Sequence, residues 1–258
     1  MKIVITGTRS GIGNFLARHF AGAGHDVCGM ARSPQTEPFL TVKADVTNPR
    51  ELTAAASLVQ QRWGKLDVLI CCAGAQQPIA LAMETDPRVW LDGVTHNLGG
   101  TFNTIHAFFP LLLQHEIPVG KVFCFSGGGA TKARPCFSSY ACAKTAIVRL
   151  VETLAQEWAE KHLEINAIAP GAVNTKMTRE VLALGPERAG PEEYQSALKT
   201  QQQAPHEVYA RVAGCLESLI RHPGVSGKLI SALWDDWSDP KKLTGPFYYL
   251  RRTVPEGQ

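Results

Sequence analysis

Tyr140 and Lys144, in Tyr140-Ala141-Cys142-Ala143-Lys144, stand four residues apart at the start of a stretch of strong helical period running towards Lys161. On a helix that spacing puts both side chains on one face. An ammonium about 4 Å from a phenol contributes roughly 4 kcal/mol at an effective dielectric of about 20. At about 1.36 kcal/mol per unit, such a charge is expected to draw a tyrosine from about 10 towards roughly 7 before desolvation pushes back. A phenol tuned in this way can give a proton to a carbonyl oxygen in reduction and take it back in oxidation. A second group of residues, Thr6-Gly7-Thr8-Arg9-Ser10-Gly11-Ile12-Gly13, suits a different task. Its glycines let the backbone turn sharply and approach a pyrophosphate, to which the following helix offers N–H groups and a partial positive charge.

The elements that must position these groups are legible as alternating patterns. Short apolar, β-branched runs predict strands at Lys2–Thr6, Asp26–Ala31, Leu40–Ala44, Asp67–Cys71, Lys121–Phe125, Glu164–Ile168 and Lys228–Ala232. Helical period predicts helices at Gly13–Gly22, Pro49–Trp63, Pro87–Gln114, Ser139–Lys161 and His206–Arg221. That alternation implies βαβ units and a parallel sheet covered on both faces. Asp86-Pro87 is a strong helix start. Gly99-Gly100 inside the helix it opens costs about 1 kcal/mol per glycine against alanine, which predicts a kink or close packing there. Ser138 and Ser139 read as helix-start residues. Residues 175–205, rich in Arg, Glu, Gln, Gly and Pro, are expected to form a lid over the carboxyl edge of the sheet. The mixed charges of that segment give only a lean towards a polar or anionic substrate.

Composition bounds the alternatives. A chain of 258 residues suits one large α/β domain, and 45% hydrophobic against 19% charged residues permits a sizeable core. A formal charge of +3 with no tight Lys/Arg run argues against a nucleic-acid surface. Seven cysteines, an odd number with no CxxC, read as incidental thiols and not as a disulfide framework or metal site. The apolar runs are too short for a membrane span and Met1-Lys2 opens no signal-peptide pattern, so the expected compartment is the cytoplasm.

The TGxxxGxG spacing of Gly7, Gly11 and Gly13, the Tyr140/Lys144 pair, and Asn166-Ala167-Ile168-Ala169-Pro170-Gly171 follow one another at distances that resemble the short-chain dehydrogenase/reductase family, in its compact single-domain branch. The resemblance covers roughly residues 1–232. It implies a Rossmann-type, doubly wound parallel sheet of about seven strands with helices on both faces, filling a single domain over 1–258. It further implies that Gly7, Ser10, Gly11, Ile12 and Gly13 line the cofactor phosphates, while Asp45 and Val46 meet the adenine. Ala73 and Gly74 would allow close cofactor approach, although Cys71-Cys72 replaces the family's usual Asn-Asn. Pro170, Gly171, the backbone of Val173, and Thr175 would hold the nicotinamide carboxamide and diphosphate, with Tyr140 and Lys144 also against the cofactor.

The position that carries Asp or Glu in NAD sites is Ala31 here, followed by Arg32. Arg32, with Arg9 from the glycine loop, is expected to pair with a 2′-phosphate, favouring NADP(H) over NAD(H); ordinary solvated arginines are the plainer alternative. The family's catalytic tetrad would be completed by Asn97, whose backbone carbonyl would hold a relay water to Lys144, and by a serine. The usual serine register falls on Gly127, so Ser126 is assigned to polarise the substrate carbonyl, on the expectation of one extra residue in the loop. The activity implied is NADP(H)-dependent interconversion of a small-molecule carbonyl and a secondary alcohol, in a homodimer or homotetramer formed through the helices bearing Asn97 and Tyr140. Two alternatives stay open: a sugar-nucleotide epimerase or dehydratase, and a non-catalytic NADP-sensing regulatory protein. The tail from residue 233 to 258, with Phe247-Tyr248-Tyr249-Leu250-Arg251-Arg252, is expected to anchor a subunit interface or shape the pocket.

Overall fold

The computed structural model describes residues 1–114, 120–239 and 242–243. Strands β1 (Lys2–Thr6), β2 (Asp26–Ala31), β3 (Leu40–Lys43), β4 (Val68–Cys71), β5 (Gly120–Phe125), β6 (Leu163–Ala169) and β7 (Leu229–Ser231) form one sheet. Its order is β3-β2-β1-β4-β5-β6-β7, and every neighbouring pair is parallel. The helices are α1 (Gly11–Gly22), α2 (Pro49–Trp63), α3 (Pro87–Val94), α4 (Gly100–Leu112), α5 (Ser138–Glu157), α6 (Lys176–Ala189), α7 (Pro191–Gln201) and α8 (Pro205–Arg221). This is the doubly wound, Rossmann-type arrangement, and its strand order reverses between β1 and β4. A crevice opens there at the carboxyl ends of the strands.

The central strands are apolar throughout because both faces are covered. Val4, Leu69, Val122 and Cys124 point to a core shared with Leu52 of α2, Phe108 of α4 and Ile147 of α5. Their neighbours Ile3, Ile5, Val68, Ile70 and Phe123 point the other way, against Leu16 and Phe20 of α1 and Val212 and Leu216 of α8. Burying each large side chain of this kind contributes about 1.5–3 kcal/mol.

Asp86 opens α3 as the Asp-Pro pair predicts, its carboxylate accepting from the N–H groups of Arg88 and Val89. The single helix expected over Pro87–Gln114 is divided: α3 ends at Val94, a π-helical turn spans Thr95–Gly99, and α4 follows. Gly100 has a packing reason, since a Cβ there would come 2.5 Å from Val46 Cγ2. Ser138 and Ser139 do not cap their own helix. Trp90 Nε1 donates to Ser138 Oγ, and Ser139 Oγ donates to the Trp90 carbonyl, tying α5 to α3. Residues 175–205 are mostly helical, as α6, bent at Gly185 and Pro186, and α7. Trp237 closes the end of the sheet layer, its indole N–H donating 3.0 Å to the Ala232 carbonyl. The aromatic and arginine stretch 247–252 lies outside the described residues. No helix among the described residues is long and apolar enough to cross a membrane.

Candidate active site

A cavity of about 790 Å³ occupies the crevice at the carboxyl ends of the strands. At one end the glycine loop is packed on itself and on β4. Gly7 has φ +76° and a Cβ there would sit 2.8 Å from Ala73 Cα; one at Gly13 would sit 2.5 Å from the Gly7 carbonyl oxygen. Both positions therefore demand glycine. Thr6 Oγ1 accepts from the N–H groups of Cys72 and Ala73, each at 3.0 Å, which fixes the loop after β4 to the end of β1. Ser10 is the N-cap of α1 but its side chain makes no capping bond.

Of the residues expected to hold a cofactor, Gly7, Arg9, Ser10, Gly11, Ile12, Gly13, Arg32, Val46, Ala73, Gly74, Tyr140, Pro170, Gly171, Val173 and Thr175 all border this one cavity. Arg9 and Arg32 are both exposed at its rim, and Arg9 donates 3.2 Å to the Pro34 carbonyl. Asp45 is a correction. Its carboxylate accepts from the Thr47 N–H at 2.9 Å and the Thr47 hydroxyl at 2.8 Å, so it closes a turn while Ala44 and Val46 face the cavity. Burial alone would raise that carboxyl, but the two Thr47 bonds and the Arg32 charge hold it below its ordinary range.

At the other end, Tyr140 borders the cavity at the start of α5. Lys144 is 4% exposed, and its Nζ lies 5.5 Å from the Tyr140 ring centroid. That ammonium donates 2.8 Å to the Phe125 carbonyl, behind the cavity wall. The expected acidification of the phenol by Lys144 is not what this arrangement gives. Burial pushes Tyr140 above its usual range, Arg134 pulls it back, and Cys72 adds to the rise. Burial also draws Lys144 down to about 8, against the opposing influence of Cys72, Cys124 and Cys71. Desolvation outweighs the pairwise attraction, with Lys144 buried and Tyr140 partly buried at the cavity wall.

Asn97 is fully buried in the π-helical turn. Its Nδ2 donates to the carbonyls of Ala75 and Gly93 at 2.8 and 2.9 Å. Its own carbonyl accepts from the Thr101 hydroxyl at 2.8 Å. Asn97 and Lys144 converge on Gly74, where a Cβ would meet Asn97 Oδ1 at 3.0 Å and Lys144 Nζ at 3.4 Å. Both thus stand just behind the cavity wall.

Ser126 borders the same cavity as Tyr140. Its hydroxyl donates 3.1 Å to the Lys144 carbonyl, a buried bond between the end of β5 and α5. Gly127 instead faces the phenol, since a Cβ there would lie 3.4 Å from Tyr140 Oη. Cys72, which replaces an amide of the family pattern, borders the cavity; burial pushes its thiol up to about 12, while the Lys144 charge and the Gly13 N–H oppose the rise.

Gln76 and Arg134 carried no signal in the sequence, whereas Glu193 lies in the expected lid and Trp234 in the tail expected to shape the pocket. Gln76, 4% exposed, donates 2.5 Å to the Met177 carbonyl and ties the loop after β4 to α6. Arg134 and Glu193 meet across the cavity from separate elements. Trp234 stands at the rim, 85% exposed. None belongs to a local motif, and only the folding of distant segments brings them together.

Comparison with known proteins agrees with this architecture. A family model described as short chain dehydrogenase matches residues 1–183. Oxidoreductase UcpA of Escherichia coli K12 is 30% identical over 208 residues, 76% of this chain and 76% of its own. Ligand-free aldohexose dehydrogenase from Thermoplasma acidophilum superposes with a TM-score of 0.76 at 20% identity, over 89% of this chain and 91% of that one. A short-chain dehydrogenase from Shigella flexneri 2a, solved with NADP, superposes with a TM-score of 0.74 at 22% identity, over 89% of this chain and 95% of that one. The two structural likenesses speak for the fold. Together with the family match, the glycine loop and the Tyr140/Lys144 pair on one parallel sheet make this chain a member of the short-chain dehydrogenase family, an oxidoreductase by descent.

Proposed function

We propose that the chain is an NADP(H)-dependent oxidoreductase that interconverts a carbonyl and a secondary alcohol, with Tyr140 as general acid and base. The observation that carries this reading is that Tyr140, the glycine loop and the two rim arginines border a single cavity. The cavity fits a dinucleotide: glycines at positions 7 and 13 are enforced by contacts under 3 Å, and no carboxylate stands at Ala31, beside Arg32. Gly11, Ile12 and Thr175 would hold the diphosphate and Arg9 and Arg32 the 2′-phosphate. Val173 would hold the carboxamide. Bound NADP(H) supplies or accepts the hydride. Tyr140 moves the proton at the substrate oxygen, and Lys144 keeps positive charge behind the site. Helices α6 and α7 act as the lid that excludes water, over a polar or anionic substrate. Assembly as a homodimer or homotetramer through α4 and α5 belongs to the same reading, and Phe102 is exposed on α4.

The test is NADPH consumption across a panel of carbonyl compounds, with Tyr140→Phe as control. Stoichiometric oxidation is expected, and Y140F should lose about 10²–10⁴-fold in kcat while binding NADPH within about twofold of the parent. Conversion of a sugar nucleotide without net cofactor consumption would replace the reading with an epimerase, and binding without turnover would replace it with a sensor. Arg32→Ala should weaken NADPH binding on the order of tenfold or more and spare NADH, since a charge-assisted bond is lost only with the 2′-phosphate. Equal losses for both cofactors would overturn the NADP assignment.

A further inference from the structure

We propose that Arg134 is a positioning residue that supplies a second positive charge beside the Tyr140 ring and is held there by Glu193 of the lid. This rests on the reading of Tyr140 as the general acid. Arg134 Nε donates 2.9 Å to Glu193 Oε1 and its terminal nitrogen 2.6 Å to Oε2, a two-pronged pair with side chains only 15% and 20% exposed. The same guanidinium carbon lies 4.1 Å from the Phe137 ring centroid and 5.5 Å from that of Tyr140. A guanidinium has five N–H donors in a rigid fork, so the Glu193 clamp uses two and fixes the plane of the rest. Arg134 and Glu193 both border the cavity that holds Tyr140.

Lys144 Nζ stands at the same 5.5 Å from the Tyr140 ring centroid, so Arg134 is the second cation beside that ring. Lys144 is turned to the Phe125 carbonyl, and Ser126 to the Lys144 carbonyl. Position 127, which faces the phenol, has no side chain. The charged and titratable groups around Tyr140 include Arg134 and Cys136 from the β5–α5 loop, Lys144 from α5 itself, Cys72 from the loop after β4, and Glu193 of α7 behind Arg134. Lys132 and Glu180 face the same cavity from the β5–α5 loop and from α6. The remaining lid neighbours, Val181, Leu182 and Leu184, are apolar and share a buried cluster with Tyr140 and Phe137. In that apolar setting the Arg134 charge favours the phenolate, against the burial that favours the phenol. Because Glu193 sits on α7, the lid sets where that charge rests.

The test reads Tyr140 directly, by ultraviolet tyrosinate titration of each variant minus the same variant carrying Tyr140→Phe. Arg134→Gln should raise the Tyr140 midpoint by about one pH unit, and Arg134→Lys, which keeps the charge, should hold it within about a third of a unit. Glu193→Gln, which leaves the charge but removes its clamp, should also raise the midpoint, because Arg134 is released towards solvent. In alcohol oxidation, where Tyr140 acts as phenolate, the rising limb of kcat against pH should move up by the same unit in R134Q. That is a roughly tenfold loss at neutral pH, recovered in alkali. An unchanged midpoint in R134Q, or a lowered or unchanged one in E193Q, overturns the proposal. Turnover that survives Y140F overturns the general-acid reading alone, since the titration still reports whether Arg134 sets the phenol.

Discussion

A hydroxyl at position 127 would stand beside the acid of this site, because the Cβ direction of Gly127 leads to within 3.4 Å of Tyr140 Oη. The backbone there is extended, with φ 171° and ψ −176°, which any residue adopts. Gly127→Ser should therefore fold and add a donor where charge grows on the substrate oxygen. The expected gain in kcat is on the order of tenfold, measured as NADPH oxidation with the best carbonyl of the panel. No gain would mean that the substrate oxygen is reached from elsewhere. Ser126→Ala should behave differently from a catalytic loss. It removes a buried hydrogen bond to the Lys144 carbonyl, worth about 1 kcal/mol in denaturant unfolding, and should leave kcat within about threefold.

At the scale of elements, the break between α3 and α4 is what brings Asn97 into the site. An uninterrupted helix would carry position 97 round at a different angle, and π turns recur where a side chain must be re-aimed. The turn is held at its carboxyl end by Gly100 against Val46, which also borders the cavity. Gly100→Ala should cost about 1–3 kcal/mol through overpacking, despite alanine's better helix propensity. Val46→Ala in the same chain should recover most of that cost. A double-mutant cycle by urea unfolding checks this, and strict additivity would show that the two side chains do not meet.

For the whole molecule, the enclosed Lys144 links activity to stability. Its folded value of about 8 lies below the ordinary 10.5, so between those limits the unfolded chain binds a proton that the folded chain does not. Stability from this group is present above about 10.5 and is lost as pH falls towards 8, a penalty on the order of 3 kcal/mol at neutral pH. Lys144→Met should accordingly be more stable than the parent at pH 7, by an amount that shrinks towards pH 10, while losing turnover. A stability difference that does not vary with pH would refute the linkage.

The sheet, its covering helices and the nucleotide loop were legible in the sequence because local patterns encode them. A strand buried on both faces must be apolar throughout, and a loop position where a Cβ would come within 3 Å of a neighbouring backbone must be glycine. Strand and helix ends accordingly fall within a few residues of those expected, and Tyr140 meets the glycine loop in one cavity. What tertiary structure alone decided is where charge and hydroxyls point. At the end of β5 the Ser126 hydroxyl donates to the Lys144 carbonyl, while the Cβ direction of Gly127 leads to the phenol. Burial, which no spacing reveals, reverses the expected effect on Tyr140 and directs Lys144 to a backbone carbonyl. A second cation beside the Tyr140 ring is Arg134, and its partner is 59 residues away in sequence. Such a pair exists only once the lid has been folded back over the sheet.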